Sequence, residues 1–101
     1  MTTVYGAVDH GKYVLEMEGH ATDNPIVCSA ISSLVYALLG YLVNAEEAGT
    51  AYGIKDHVES GSVNLIYEID DELIPIFHMF EIGIKQIEAK YPDLVQCDIN
   101  F

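Results

Sequence analysis

The chain has 101 residues, with 16 acidic against 4 basic side chains and a formal net charge of −12. Hydrophobic residues make up 50% of it. This length predicts one domain, residues 1–101, that can bury a core without metal or disulfide support. The scarcity of lysine and arginine argues against nucleic-acid binding and against contact with an anionic membrane. The acidity either attracts a basic peptide or protein, or serves solubility alone. The hydrophobic excess is typical of a subunit interface, for which a homodimer is the simplest assembly.

The spacing of hydrophobic residues predicts the element order β-β-α-β-β-α-β. Alternating side chains indicate strands, and hydrophobic residues at helical spacing indicate two helices. The predicted strands are Thr2–Val8, Lys12–Glu18, Thr50–Glu59, Ser62–Ile69 and Leu94–Asn100, and the predicted helices are Pro25 to about Glu47 and a second one that ends near Lys90. This order predicts an α+β fold in which two helices pack on one face of a mostly antiparallel sheet.

Local signals mark where the two helices begin. Asn24 followed by Pro25 predicts a capped helix start, because asparagine accepts backbone hydrogen bonds and proline suits the first helical position. Asp70 and Asp71 predict an N-cap for the second helix. Gly40 lies inside the first helix, where glycine is costly, so it predicts a close packing contact.

The longest apolar segment, from Ile26 to Val43, predicts a buried core helix rather than a membrane span, because polar residues and Gly40 interrupt it. The start of the chain has neither a basic segment nor an apolar stretch behind it, so we expect a cytoplasmic protein. In a reducing cytoplasm Cys28 and Cys97 are expected to remain thiols.

Cys28 is the candidate nucleophile because it falls in the first turn of the predicted long helix. The N–H groups and the dipole at this end favour a thiolate, the form that attacks a carbonyl, and the same N–H groups are candidates for holding an oxyanion. His20, in the connection before the helix, is the candidate base, and Asp23 or Asn24 is a candidate for orienting its ring. Without further support, a cysteine on an apolar helix is more often structural.

The remaining candidates are weaker. His10 is expected to be solvated in a turn, His57 lies in a predicted strand, His78 is expected to pack beside Phe77, and Cys97 is expected in the core. No zinc-binding spacing, phosphate-binding loop or dinucleotide motif is present, so no metal or cofactor is predicted.

The segments Gly19–Ala21 and Ile26–Ser32 together resemble the signature of the Prp ribosomal-processing cysteine protease family, in which Gly-His-Ala precedes a loop and Asp-Ile-Val-Cys-Ala-Ala-Val-Ser. The strand opening Gly61–Val63 and the pair Tyr91–Pro92 before the last strand are also similar to that family.

The resemblance implies a dimeric cytoplasmic cysteine protease that removes a short N-terminal extension from a large-subunit ribosomal protein. His20 and Cys28 match the catalytic pair, and Ser32 matches a further serine of the motif. The His-to-Cys loop is shorter than in the family, and Pro25 replaces an aspartate. These departures leave two alternatives open: a catalytically inactive dimeric interaction module, or a phage-encoded protease that acts on a virion protein.

Overall fold

The computed structural model of the protein describes residues 1–19 and 24–101. Within them the predicted element order and the α+β class are confirmed. The strands are β1 (Thr2–Asp9), β2 (Lys12–Glu18), β3 (Ala51–Glu59), β4 (Ser62–Ile69) and β5 (Val95–Asn100), and the helices are α1 (Pro25–Glu47) and α2 (Ile74–Lys90).

The strands form one sheet in the order β3-β4-β2-β1-β5. Neighbouring strands are antiparallel except β1 and β5, which are parallel. Helix α2 connects β4 to β5 and carries the chain across the sheet to the edge beside β1, a crossover that lets β5 run in the same direction as β1. The inward residues of the strands share one face through this register, and both helices pack on that face. The sheet contributes to the core Val4, Tyr13, Leu15, Met17, Ala51, Val63, Leu65, Tyr67, Val95 and Ile99.

Helix α1 begins where the sequence predicts. The Asn24 side-chain oxygen accepts from the N–H of Ile26 at 3.1 Å and of Val27 at 3.2 Å, and Pro25 occupies the first turn. By length and composition alone this helix could also cross a membrane. Its inner side, however, packs into the core through Val27, Ile31, Val35, Leu38, Leu42 and Ala45. The core-helix prediction therefore holds for the inner side, while the outer side of α1 faces solvent.

The predicted cap of the second helix is wrong. Asp71 lies in a 3₁₀ turn, Asp71–Leu73, that precedes α2, and Asp70 makes no side-chain capping bond. The residue that precedes α2 is Leu73, which cannot cap. Pro75 has no N–H and falls in the first turn, so one donor that a cap would satisfy is missing there.

The packing contact predicted for Gly40 is also absent from the described part of the chain. A Cβ built on this residue meets nothing within 4 Å, because Gly40 lies on the exposed side of α1. The glycine that does mark a close helix contact is Gly83 of α2, whose added Cβ would lie 2.9 Å from a methyl group of Leu34 on α1.

Gly19 ends β2 in a conformation that suits glycine. Its φ is +93°, and an added Cβ would collide with the backbone carbonyl of Met1. Its N–H donates to the carbonyl oxygen of Gly61 at 2.9 Å, which ties the end of β2 to the turn between β3 and β4.

The end of the chain is held against α2 by Glu81. One carboxylate oxygen accepts from the N–H of Phe101 at 2.9 Å, and the other accepts from Nζ of Lys85 at 2.8 Å. The hydrogen bond from Lys85, followed by the one from Phe101, holds the pKa of Glu81 below its ordinary value of 4.5. The ionised carboxylate therefore stabilises the folded state.

We expect Gly19→Ala to lower the free energy of unfolding by at least about 1–2 kcal/mol, the usual cost of a left-handed backbone for a residue with a Cβ. Gly11→Ala is the matched control, because Gly11 also has a positive φ, +78°, but has open space around it. Denaturant unfolding of both variants measures the difference. Equal losses would show that the Met1 carbonyl adds nothing.

We expect Glu81→Gln to lower the free energy of unfolding at pH 7 and to have less effect in acid. The folded-state pKa is depressed, so this stabilisation is complete above the unfolded value of 4.5 and is lost as pH falls through the lower folded value. Urea unfolding between pH 7 and pH 2 measures it, with the exposed Glu68→Gln as control. A difference from wild type that persists undiminished at pH 2 would contradict this assignment.

Candidate active site

A cleft of about 290 Å³ lies between the start of α1, the end of β2 and the β3–β4 turn. Its floor is apolar and belongs to the core, with side chains of Met17, Ile31, Val35 and Val63. Its rim is made of Gly19 and of the turn residues Ser60 and Gly61, which the hydrogen bond between the two glycines holds together. The cleft thus joins three segments that are distant in the sequence.

Cys28 lines this cleft and is partly exposed. It is the fourth residue of α1, so its thiol lies at the positive end of a 23-residue helix. The side chain packs against the edge of the core without being enclosed by it. A thiol in this position is accessible to a ligand in the cleft.

The first-turn amides of α1, which the sequence makes candidates for holding an oxyanion, are bonded to Asn24. The side-chain oxygen of Asn24 accepts hydrogen bonds from the N–H groups of Ile26 and Val27, and the Asn24 carbonyl oxygen accepts one from the N–H of Cys28 at 3.2 Å. Pro25 has none to give. The cap that starts the helix therefore uses the donors that an oxyanion would need.

Ser32 follows Cys28 by one helical turn and lines the same cleft with an exposed side chain. Tyr36, a further turn along, also lines it and is 61% exposed. The three residues form a row that descends α1 from its N-terminus. Sequence reasoning identified Cys28 and Ser32 but missed Tyr36, although the four-residue spacing was visible in the sequence.

Sequence reasoning also missed the contribution of β3. Val58 and Glu59, at the end of this strand, line the cleft together with Cys28. Nothing in their residue types indicates a site. They reach it only because β3 and α1 run side by side at the edge of the sheet.

His20 and Asp23 lie outside the described residues. The described residues on either side of them are Gly19, which lines the cleft, and Asn24, which caps the helix that carries Cys28. The side-chain oxygen of Asn24 is engaged in the cap, as the sequence indicates.

The second cysteine is a poor nucleophile. Burial, followed by a hydrogen bond to the Glu88 carboxylate, raises the pKa of the Cys97 thiol to about 11. The pKa shift disfavours the thiolate at neutral pH. Cys97 lies on β5 and packs partly buried against the core, so it is more exposed than the sequence suggests.

The three described histidines are all exposed. His10 lies 2.6 Å from the Asp9 carboxylate in the β1–β2 turn, and His57 is on β3. His78, which the sequence predicts to pack beside Phe77, has an exposed side chain, and its Nε2 is 3.3 Å from the carbonyl oxygen of Phe101. Within residues 1–19 and 24–101, no three His, Cys, Asp or Glu side chains are grouped so as to hold a metal ion.

The fold is similar to that of the essential ribosomal processing protease Prp from S. aureus. Its structure with a covalently linked product peptide has a TM-score of 0.75 at 21% identity, covering 99% of this chain and 100% of that one. Its structure with a substrate peptide gives 0.69 at 17%, with coverage of 99% and 100%. The structure of SMU.848 from Streptococcus mutans gives 0.71 at 21%, with coverage of 98% and 93%.

Identities this low establish only the shared fold, and the comparison with curated proteins gave no match. The sequence itself, however, matches the family described as cysteine protease Prp over residues 1–96, nearly the whole chain. The chain therefore belongs to the cysteine protease Prp family.

Proposed function

We propose that this protein is a cytoplasmic cysteine endopeptidase that removes a short N-terminal extension from a large-subunit ribosomal protein. The observation that carries the proposal is the position of Cys28: a partly exposed thiol at a helix N-terminus, lining a cleft with an apolar floor. Membership of a cysteine protease family supports the same chemistry.

In the proposed reaction, His20 takes the proton of the Cys28 thiol, and the thiolate sulfur bonds to the scissile carbonyl carbon. The peptide C–N bond then breaks, and the protonated imidazole donates its proton to the leaving amine. Water, deprotonated by the same imidazole, hydrolyses the thioester and restores the thiol. The position of Gly19 on the cleft rim supports His20 as the base, because His20 is the next residue in the chain.

The roles of the supporting residues follow from their positions and from the hydrogen bonds that they make in the structure. Ser32, in the cleft one turn from Cys28, is proposed to hydrogen-bond to the substrate or to the thiol. Asn24 is proposed to act on α1, because its side-chain oxygen caps that helix. Asp23 is then the remaining candidate for orienting the His20 ring.

The proposed substrate is a basic segment. The net charge of −12 attracts positive peptides, and Glu59 on the cleft rim adds a negative charge beside the site. Nucleic acid and anionic membrane surfaces are disfavoured as partners for the same reason.

A homodimer is proposed to form through the outer side of α1. Residues 26–45 contain no Asp, Glu, Lys or Arg, although the chain as a whole is a fifth charged. Ile26, Tyr36, Tyr41 and Val43 on this helix are 41–70% exposed, and Gly40 leaves room for a second backbone. A wide uncharged apolar surface on a strongly acidic protein is typical of a subunit contact.

One observation favours a second candidate, the non-catalytic dimeric interaction module. The first-turn amides of α1 are bonded to Asn24, so they offer no donor to an oxyanion in this conformation. Peptide cleavage distinguishes the two candidates.

We expect the wild-type protein to cleave a peptide with the N-terminal sequence of the large-subunit ribosomal protein of the same organism. Cys28→Ala should lower kcat/KM at least roughly a thousandfold, because it removes the nucleophile. His20→Ala should lower it by roughly 10²–10⁴, and Ser32→Ala by at most about tenfold, the effect of one hydrogen bond. Mass spectrometry of the products locates the cleaved bond.

Cys97→Ala is the matched control for the loss of a thiol, and it should retain wild-type activity. Activity that survives in Cys28→Ala, or disappears equally in Cys97→Ala, would overturn the assignment of the nucleophile. An inactive wild type whose Cys28 reacts slowly with iodoacetamide would favour the interaction module.

Dimerisation through α1 predicts different effects for two exposed helix alanines. Ala37→Asp places a charge on the outer side of α1 and should shift the protein to monomer. Ala89→Asp, on α2, should leave the dimer intact. Size-exclusion chromatography with light scattering at micromolar concentration measures both. A monomeric wild type, or an Ala37→Asp variant that stays dimeric, would refute this interface.

A further inference from the structure

We propose that the open edge of β3, at Asp56 and Val58, binds the substrate as an added β-strand that leads into the Cys28 cleft. This inference rests on the proposed peptidase function and names the part of the fold that recognises the peptide backbone. It predicts that the β3 edge binds the backbone of an extended substrate and that the side chains of the substrate add specificity.

The register of the β3–β4 hairpin determines which backbone groups face outward. A two-residue turn, Ser60–Gly61, closes the hairpin, so the flanking pair Glu59 and Ser62 is a hydrogen-bonded pair. Hydrogen-bonded and non-hydrogen-bonded pairs alternate along antiparallel strands. The N–H and C=O groups of Val58 and Asp56 therefore point away from β4, toward the free edge of the sheet.

An independent contact at the other end of β3 supports this alternation. Gly53 lies opposite Tyr67, beyond a bulge, and the alternation along β4 makes the amide of Gly53 point outward. That amide donates to the Glu46 carboxylate of α1 at 2.7 Å. At the start of β3, then, a side chain of α1 already occupies the open edge.

The second half of β3 has no such cover. Its pairing with β4 is regular from Lys55 to Glu59, and the side chains of residues 55–57 are exposed. Among residues 1–19 and 24–101, no backbone hydrogen bond outside the sheet pairing involves the outward N–H or C=O groups of Asp56 or Val58. Sheet edges are usually protected by bulges, charges or a covering element. Here the bulge and the Glu46 contact lie at the far end. The half near the cleft carries the charged side chains of Lys55, Asp56 and Glu59 but no covering element, so its outward backbone groups remain available to a peptide.

This available edge is continuous with the candidate active site. Val58 and Glu59 line the cleft together with Cys28. A peptide residue bonded to the outward groups of Val58 would thus enter the cleft directly. The apolar floor of the cleft can then take a side chain, since successive residues of an extended chain point to opposite faces.

The charges near this edge favour a basic peptide over a second copy of the chain. Asp56 lies opposite Leu65 on the helix side of the sheet, where its carboxylate accepts from the Tyr67 hydroxyl at 3.4 Å. Burial, and next the negative charges of Asp56 and Glu46, raise the pKa of Tyr67 to about 12. On the half of β3 near the cleft, Asp56 and Glu59 outnumber the single Lys55, so the local charge attracts a lysine or arginine and repels the same acidic edge of a second copy.

Amide hydrogen exchange tests the inference directly. The full-length Cys28→Ala variant, labelled with ¹⁵N, is measured with and without a saturating amount of the ribosomal N-terminal peptide. We expect exchange at the amides of Asp56 and Val58 to slow at least about tenfold on binding, because each gains a hydrogen bond. Lys55 and His57 are built-in controls, because their amides already bond to β4 and should change little.

Activity gives a second readout. A series of substrate peptides, each N-methylated at one residue, is assayed with the wild-type protein. We expect kcat/KM to fall roughly three- to tenfold at alternate positions, the effect of one lost hydrogen bond, and to change little between them. An equal fall at every position would overturn the inference, because added-strand pairing uses only every second amide on one side.

The failure of the inference is separable from that of the proposed function. Cleavage without protection at Asp56 and Val58 overturns the strand inference and leaves the peptidase standing. Protection without cleavage supports the strand and removes the catalytic proposal. Protection of both amides without peptide, rising with protein concentration, would assign the edge to a second copy and overturn the inference. If the peptide is neither bound nor cleaved, both proposals are overturned.

Discussion

The capping bonds from Asn24 to the amides of Ile26 and Val27 are the contacts on which the rest of the site depends. They define where α1 starts, and thereby which residue falls in its fourth position. A capping side chain contributes about 1 kcal/mol, which is modest, but it also determines direction and register. With the start defined, Val27 and Ile31 point into the core and Cys28 points to the cleft between them and β3.

The same cap restricts the chemistry. An enzyme that stabilises an oxyanion needs donors that are not already used, and a helix start is a common source of them. Here proline and the Asn24 bonds consume the first turn. The proposed catalysis at Cys28 would therefore need donors from another element that borders the cleft, or a rearrangement of the cap when substrate binds. If the helix start also served as an anion site, the cap and the anion would compete for the same N–H groups.

The two surfaces that border the cleft differ in charge and in the backbone groups that they expose. The outer side of α1 is apolar and free of charge, which suits contact with another copy of the chain. The edge of β3 beside it carries Asp56 and Glu59 against a single Lys55, together with outward backbone groups, which suits a basic extended peptide. Because α1 packs beside β3, both surfaces border the cleft that Cys28 lines. Binding of substrate and association of subunits would then act on adjacent parts of one helix.

The sequence by itself determined the element order, the start of α1 and the identity of the candidate thiol. These follow from local physics: hydrophobic spacing, a capping asparagine beside a proline, and a cysteine in a first turn. It was wrong about Asp70, Asp71 and Gly40, because a proline-containing helix start and an exposed helix face depend on what packs against them. Only the tertiary structure decided that Val58, Glu59 and Tyr36 share the cleft with Cys28, and that half of β3 has an open edge. Strand order brings those residues together across long separations, and no residue type carries that information.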